Sequence, residues 1–149
     1  MARVLAIASG GGHWIQLRRL AAAFEGLDVA YASIYPESSV DIGDHDYYTF
    51  CDFSRFSRQN FVPLIFQIMK ILITVRPKVV ITTGSAPALV AMVLAKLLLR
   101  SRTIWIDSIA NVEKLSSSGS AARYFADIWL TQWKHLAKAS GPQYWGSVL

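Results

Sequence analysis

The chain has 149 residues, 53% of them hydrophobic and 17% charged, with a formal net charge of +5 and one cysteine. That is the length of one domain, and a chain this size buries roughly 70% of its unfolded surface without staples. High apolar content with modest charge excludes intrinsic disorder, and a single cysteine, Cys51, excludes an intramolecular disulfide.

Charge is unevenly spread. Residues 1–52 hold three basic and seven acidic side chains, a net of −4; residues 53–149 hold twelve basic and three acidic ones, a net of +9. The asymmetry points to an anionic partner for the second part: a membrane surface, a phosphorylated substrate or nucleic acid. Nucleic acid is the weakest of these and is not expected, because there is neither a dense Lys/Arg stripe nor zinc-finger spacing. The short apolar run after Met1 breaks into glycines, so no signal peptide is expected. The apolar stretches 61–75 and 86–99 are each too short to span a bilayer and each carries a lysine, Lys70 or Lys96.

In chain order, residues 3–8 form a continuous apolar run that predicts a buried strand. Gly10–Gly12 follow, then a helix over about 13–24 with Ile15, Leu17, Leu20, Ala21 and Phe24 near helical spacing. A second strand is expected over 28–33, a polar loop over 36–46 and a third strand over 46–50. A helix over 60–75 has Asn60 as its expected cap and Pro63 in its first turn. The β-branched run 78–82 predicts a strand, and Gly84-Ser85 leads into a helix over 86–99 capped by Ser85. Strands are expected over 103–106 and 126–131, a flexible Ser/Gly stretch over 116–120 and a short helical segment near 133–138. Alternating strands and helices make a parallel α/β sheet covered on both faces, a single domain over 1–149. In such sheets ligands lie at the carboxyl ends of the strands, here Ser9 to His13, Thr83 to Ser85, Asp107 to Asn111 and Gln132.

Ser9-Gly10-Gly11-Gly12-His13 joins the first strand to the first helix. Its glycines allow close backbone approach, and the helix start offers free N–H groups to a phosphate. The dinucleotide fingerprint fails because its third glycine would fall on Ile15, and no acidic residue ends the second strand. A stand-alone nucleotide-binding or dehydrogenase domain is therefore disfavoured, and no cofactor is expected. His13, at the mouth of the loop, is a candidate general base or hydrogen-bond donor to a phosphate; a helix-start histidine that bonds only locally is the competing explanation. Thr83-Gly84-Ser85 is a second strand-to-helix turn with N–H donors; ordinary helix capping is the competing explanation. Asp107 and Glu113 are candidate carboxylate bases, although Asp107 also suits a local cap. No Cys/His cluster suggests a metal. In the helix over 60–75 the polar residues Gln67, Lys70 and Thr74 form one narrow stripe, and the apolar surplus needs cover. With Arg55 and Arg58 just before it, Phe61, Leu64, Ile65 and Ile68 suit an anionic membrane surface; cover by another part of the fold or a partner is the alternative.

Together, Ser9-Gly10-Gly11-Gly12-His13, Thr83-Gly84-Ser85-Ala86-Pro87, Trp105-Ile106-Asp107-Ser108-Ile109-Ala110, residues 112–119, and the closing Ala126-Asp127, Thr131-Gln132-Trp133 and Tyr144-Trp145-Gly146 resemble a known family. It is that of the membrane-anchoring subunit of the split UDP-N-acetylglucosamine transferase of N-glycan synthesis, and more closely its bacterial capsule and exopolysaccharide relatives. The resemblance runs essentially end to end. It implies a Rossmann-like domain equivalent to the N-terminal half of a GT-B glycosyltransferase, working with a separate donor-binding catalytic chain. It implies transfer from a UDP-sugar to a polyprenyl-diphosphate-linked acceptor at the cytoplasmic face of the inner membrane, with peripheral attachment. By that resemblance Ser9, Gly10, Gly11, Gly12, Thr83, Gly84, Ser85, Ser108 and Asn111 bind substrate, and His13, Asp107 and Glu113 line the cleft. The N-terminal membrane helix of the eukaryotic members is not expected here; the chain also departs from them in carrying Asp107 where a glutamate is expected, and in Trp14, which suits the bacterial branch. The alternative is a non-catalytic scaffold that recruits the catalytic chain to the membrane.

Overall fold

A computed structural model describes residues 3–54 and 56–148. Strand β1 (Arg3–Ile7) leads through the glycine loop into helix α1 (Gly12–Arg19). A 3₁₀ turn over Ala21–Phe24 replaces the helical continuation expected to residue 24. Strand β2 (Asp28–Ser33) is followed by a 3₁₀ segment over Pro36–Asp41 and strand β3 (Asp46–Thr49). Helix α2 (Phe61–Val75) precedes strand β4 (Val79–Thr82), helix α3 (Ala86–Leu99) and strand β5 (Arg102–Ile106). Helix α4 (Ser117–Ala122), strand β6 (Ile128–Thr131), a 3₁₀ turn over Lys134–Leu136 and strand β7 (Gln143–Tyr144) complete the order.

The seven strands form one parallel sheet in the order β3-β2-β1-β4-β5-β6-β7. Alternation along β1 explains its two buried faces. Leu5 and Ile7 join Leu64, Ile68, Ile71 and Leu72 of α2 and Ala88, Ala91 and Ala95 of α3 in one core. Val4, Ala6 and Ala8 point the other way, into a second core with Trp14 and Leu17 of α1 and with Phe24, Tyr31, Ile81 and Ile106. Small alanines along α3 let it approach the sheet closely. Met92, Trp105 and Ala122 form a third cluster where α4 meets β5.

Three local expectations change. Asn60 does not cap α2: it sits in a 3₁₀ turn over Arg58–Asn60 with near-helical backbone, and its amide donates to the Asp52 carbonyl at 3.0 Å. The Ser/Gly stretch over 116–120 is not loose but enters α4, with Ser116 Oγ accepting from the Gly119 N–H at 2.8 Å. Strand β7 was not anticipated, because two exposed residues carry no periodic pattern. Ser85 does cap α3, its hydroxyl accepting from the Ala88 N–H at 3.3 Å.

Candidate acceptor crevice at the strand reversal

Strand order reverses between β1 and β4, and the carboxyl ends of strands at such a reversal are where sheets of this kind hold their ligands. One loop is Ser9–Gly12, with Gly11 at φ 65° as the residue entering α1. The other is Thr83-Gly84-Ser85, with Gly84 at φ 123° and Ser85 at φ 106°. The serine backbone is held where glycine is normally required, a strained conformation of the kind that accumulates at functional loops.

Reciprocal bonds tie the two loops together. His13 Nδ1 lies 3.1 Å from the Thr83 carbonyl, and Thr83 Oγ1 donates to the His13 carbonyl at 2.6 Å. A carbonyl only accepts, so Nδ1 is the donor in this bond and Nε2 is not engaged by it. Gly84 makes this possible: a Cβ there would sit 2.9 Å from the His13 ring. Beyond the crevice, the half-exposed Tyr35 ring packs where a Gly10 side chain would be, and the Tyr47 hydroxyl donates to the Tyr35 carbonyl at 2.5 Å. Burial holds the Tyr47 phenol above its ordinary pKa, so it remains a donor.

Asp107 is buried, 1% exposed, and its carboxylate already accepts four bonds. They come from Trp105 Nε1 (3.2 Å), Asn111 Nδ2 (3.0 Å), Ser116 N (3.1 Å) and Ser116 Oγ (2.7 Å). A side chain on Gly119 would overlap its Oδ1. Asp107 and Asn111 thus serve the architecture of the 107–119 loop rather than opening into the crevice. Ser108 is also buried, its hydroxyl accepting from Gln16 Nε2 at 3.0 Å. Glu113 is exposed and lines a separate concavity beside α4. The structure therefore bonds the His13 and Thr83 turns to each other, commits the Asp107 carboxylate to its own loop, and places Glu113 in a separate concavity.

A buried amide pair went unanticipated. Gln16 Oε1 accepts from the Ile109 N–H at 3.0 Å and from Gln132 Nε2 at 2.7 Å; Gln132 Nε2 also donates to the Asp107 carbonyl, and Gln132 Oε1 accepts from Val148 N. It locks α1 to the ends of β5 and β6. The available signal was a polar residue one turn after His13, between the core residues Trp14 and Leu17.

On α2, Leu64 and Ile68 are 0% and 1% exposed and belong to the core, so they cannot meet a membrane. Ile65 is half-buried. The apolar face that remains outward is Phe61, Val62, Phe66 and Ile73, with Arg58 exposed before it; Arg55 lies outside the described residues. Among the described residues no helix is long and apolar enough to cross a membrane, and no group of three or more His, Cys, Asp or Glu side chains could hold a metal.

A seven-stranded parallel sheet with helices on both faces and a glycine crevice at its reversal is the Rossmann-like architecture of the GT-B glycosyltransferase and epimerase halves. It superposes on MurG of Acinetobacter baumannii with a TM-score of 0.78 at 13% identity, covering 99% of this chain and 45% of that one. The UDP-GlcNAc 2-epimerase of Methanocaldococcus jannaschii gives 0.65 at 12% identity (87% and 39% covered), and the S. aureus MnaA–UDP co-structure 0.64 at 14% (89% and 38%). At these identities the likeness is one of fold, and the chain spans less than half the length of each. Residues 54–148 match the family model described as oligosaccharide biosynthesis protein Alg14 like, and the chain belongs to that family. No curated protein matches it in sequence.

Proposed function

We propose that this chain is the acceptor-side half of a two-chain glycosyltransferase, moving a sugar from a UDP-sugar to a polyprenyl-diphosphate-linked acceptor in polysaccharide synthesis. The observation that carries the proposal is the pair of loops joined by His13 and Thr83 at the β1/β4 crevice. Membership of the Alg14-like family and the GT-B-like fold support it. The first-turn N–H groups of α1 lack helical acceptors and form the positive end of the helix dipole, a setting for the acceptor's diphosphate.

In this mechanism the acceptor hydroxyl attacks the anomeric carbon of the donor. The new glycosidic C–O bond forms as the bond to UDP breaks, UDP leaves with that electron pair, and the anomeric configuration inverts. His13 Nε2 takes the hydroxyl proton, its ring held by the Nδ1 bond to Thr83. Asp107 and Asn111 act as positioning residues for the 107–119 loop. Phe61, Val62 and Phe66, with Arg58 and Arg55, rest the chain peripherally on the cytoplasmic face of the membrane. The donor-binding chain is a separate subunit.

The test is His13→Ala in the chain reconstituted with its donor-binding partner. The proposal expects kcat to fall by about 10²–10⁴-fold. Near-normal turnover would instead favour the non-catalytic scaffold.

A further inference from the structure

The concavity that receives Glu113 is a second feature, apart from the crevice. It measures about 700 Å³ and lies between the 113–115 loop, α4 and the crossover from β6 to β7. Neither His13 nor any residue of the glycine loop lines it. Its lining is mixed, and the apolar part is Trp129, Leu136 and Leu115. Trp129 is fixed, its indole Nε1 donating to the Gly119 carbonyl at 2.8 Å and its ring packed against Gly141, where a Cβ would come within 2.8 Å. Three cations line it, Lys114, Arg123 and Lys138, against the single carboxylate of Glu113. All three are exposed, and none joins an ion pair among the described residues. The Arg123 guanidinium lies 4.5 Å over the Tyr124 ring, which restrains it before any ligand arrives.

We infer that this groove binds a phosphate-bearing group, held by Lys114, Arg123 and Lys138, with an adjoining apolar portion against Trp129 and Leu136. The volume is that of a small-ligand site rather than a polymer track. Three cations around one hollow favour a dianionic group over a carboxylate, because phosphate offers more acceptor oxygens and matches the fork of arginine. The groove also concentrates part of the positive excess of residues 53–149, which the crevice residues do not use. An anionic phospholipid headgroup and a soluble diphosphate share this chemistry.

The experiment compares the full-length chain with the Lys114→Gln, Arg123→Gln, Lys138→Gln triple variant. Calorimetry with inorganic diphosphate forms one arm; flotation on phosphatidylglycerol vesicles against phosphatidylcholine vesicles forms the other. All three positions are exposed, so the fold is expected to persist, and circular dichroism checks it. Binding at least about tenfold weaker in the triple variant supports the inference, since three charge-assisted contacts are removed. Loss in the diphosphate arm assigns a soluble ligand; loss in the vesicle arm alone assigns a headgroup. The inference is overturned if neither arm distinguishes triple variant from wild type, or if diphosphate binding is lost in His13→Ala but kept in the triple variant.

Discussion

Asp107 shows how a strand-end carboxylate can be committed to structure. It forms no ion pair among the described residues, yet four donors satisfy it, as a buried polar group requires. Removing it leaves those donors unpaired in the interior. Asp107→Ala is therefore expected to destabilise the chain by about 3–5 kcal/mol, and Asp107→Asn by less, because the amide keeps one acceptor oxygen. Urea unfolding midpoints check both. Equal, small losses would show that the 107–119 loop does not depend on this carboxylate. His13 is the opposite case: half-buried, with Nδ1 bonded to the Thr83 carbonyl and Nε2 the nitrogen proposed above as the base.

At the scale of the element, α2 is apolar on nearly all sides, and the sheet and α3 cover one side of it. Ile68 is 1% exposed in the core, whereas Phe66, two residues earlier, is 69% exposed. Ile68→Ala is expected to cost about 2–4 kcal/mol through the cavity it leaves. Phe66→Ser is expected to change stability by no more than about 0.5 kcal/mol. Yet it should weaken sedimentation with anionic vesicles, because the outward face of α2 is the one available to lipid. Denaturant midpoints and vesicle sedimentation, measured on both variants, separate core from surface. A Phe66 variant that unfolds early, or one that sediments like wild type, would sink the assignment.

At the scale of the whole molecule, strand order sets the site. β1 and β4 are neighbours because the chain winds first one way and then the other, and only at that reversal do two strand-end loops leave a crevice between them. The proposed acceptor half also makes a statement about the donor. The isolated chain is expected to give no binding heat with UDP-N-acetylglucosamine, and binding or transfer is expected once the donor-binding chain is co-expressed. Calorimetry decides it; clear binding by the lone chain would place the donor site here and remove the acceptor-half proposal.

Much of this was legible in the residues. Continuous apolar runs such as Val4–Ala8 and Val79–Ile81, short and rich in β-branched residues, suit strands of a sheet buried on both faces, and glycines at the end of β1 mark a close backbone approach. Local chemistry thus determined the parallel α/β class, the extents of α2 and α3, the Ser85 cap and the loops that form the crevice. Tertiary packing decided the rest. Whether Leu64 or Phe66 faces outward depends on which side of α2 the sheet takes, and a helix apolar on nearly all sides does not announce that choice. The roles of Gln16 and Gln132 rest on partners as many as 116 residues away, a spacing that no local pattern encodes. A buried polar group is defined by the partners that satisfy it, and those partners meet only once the chain has folded.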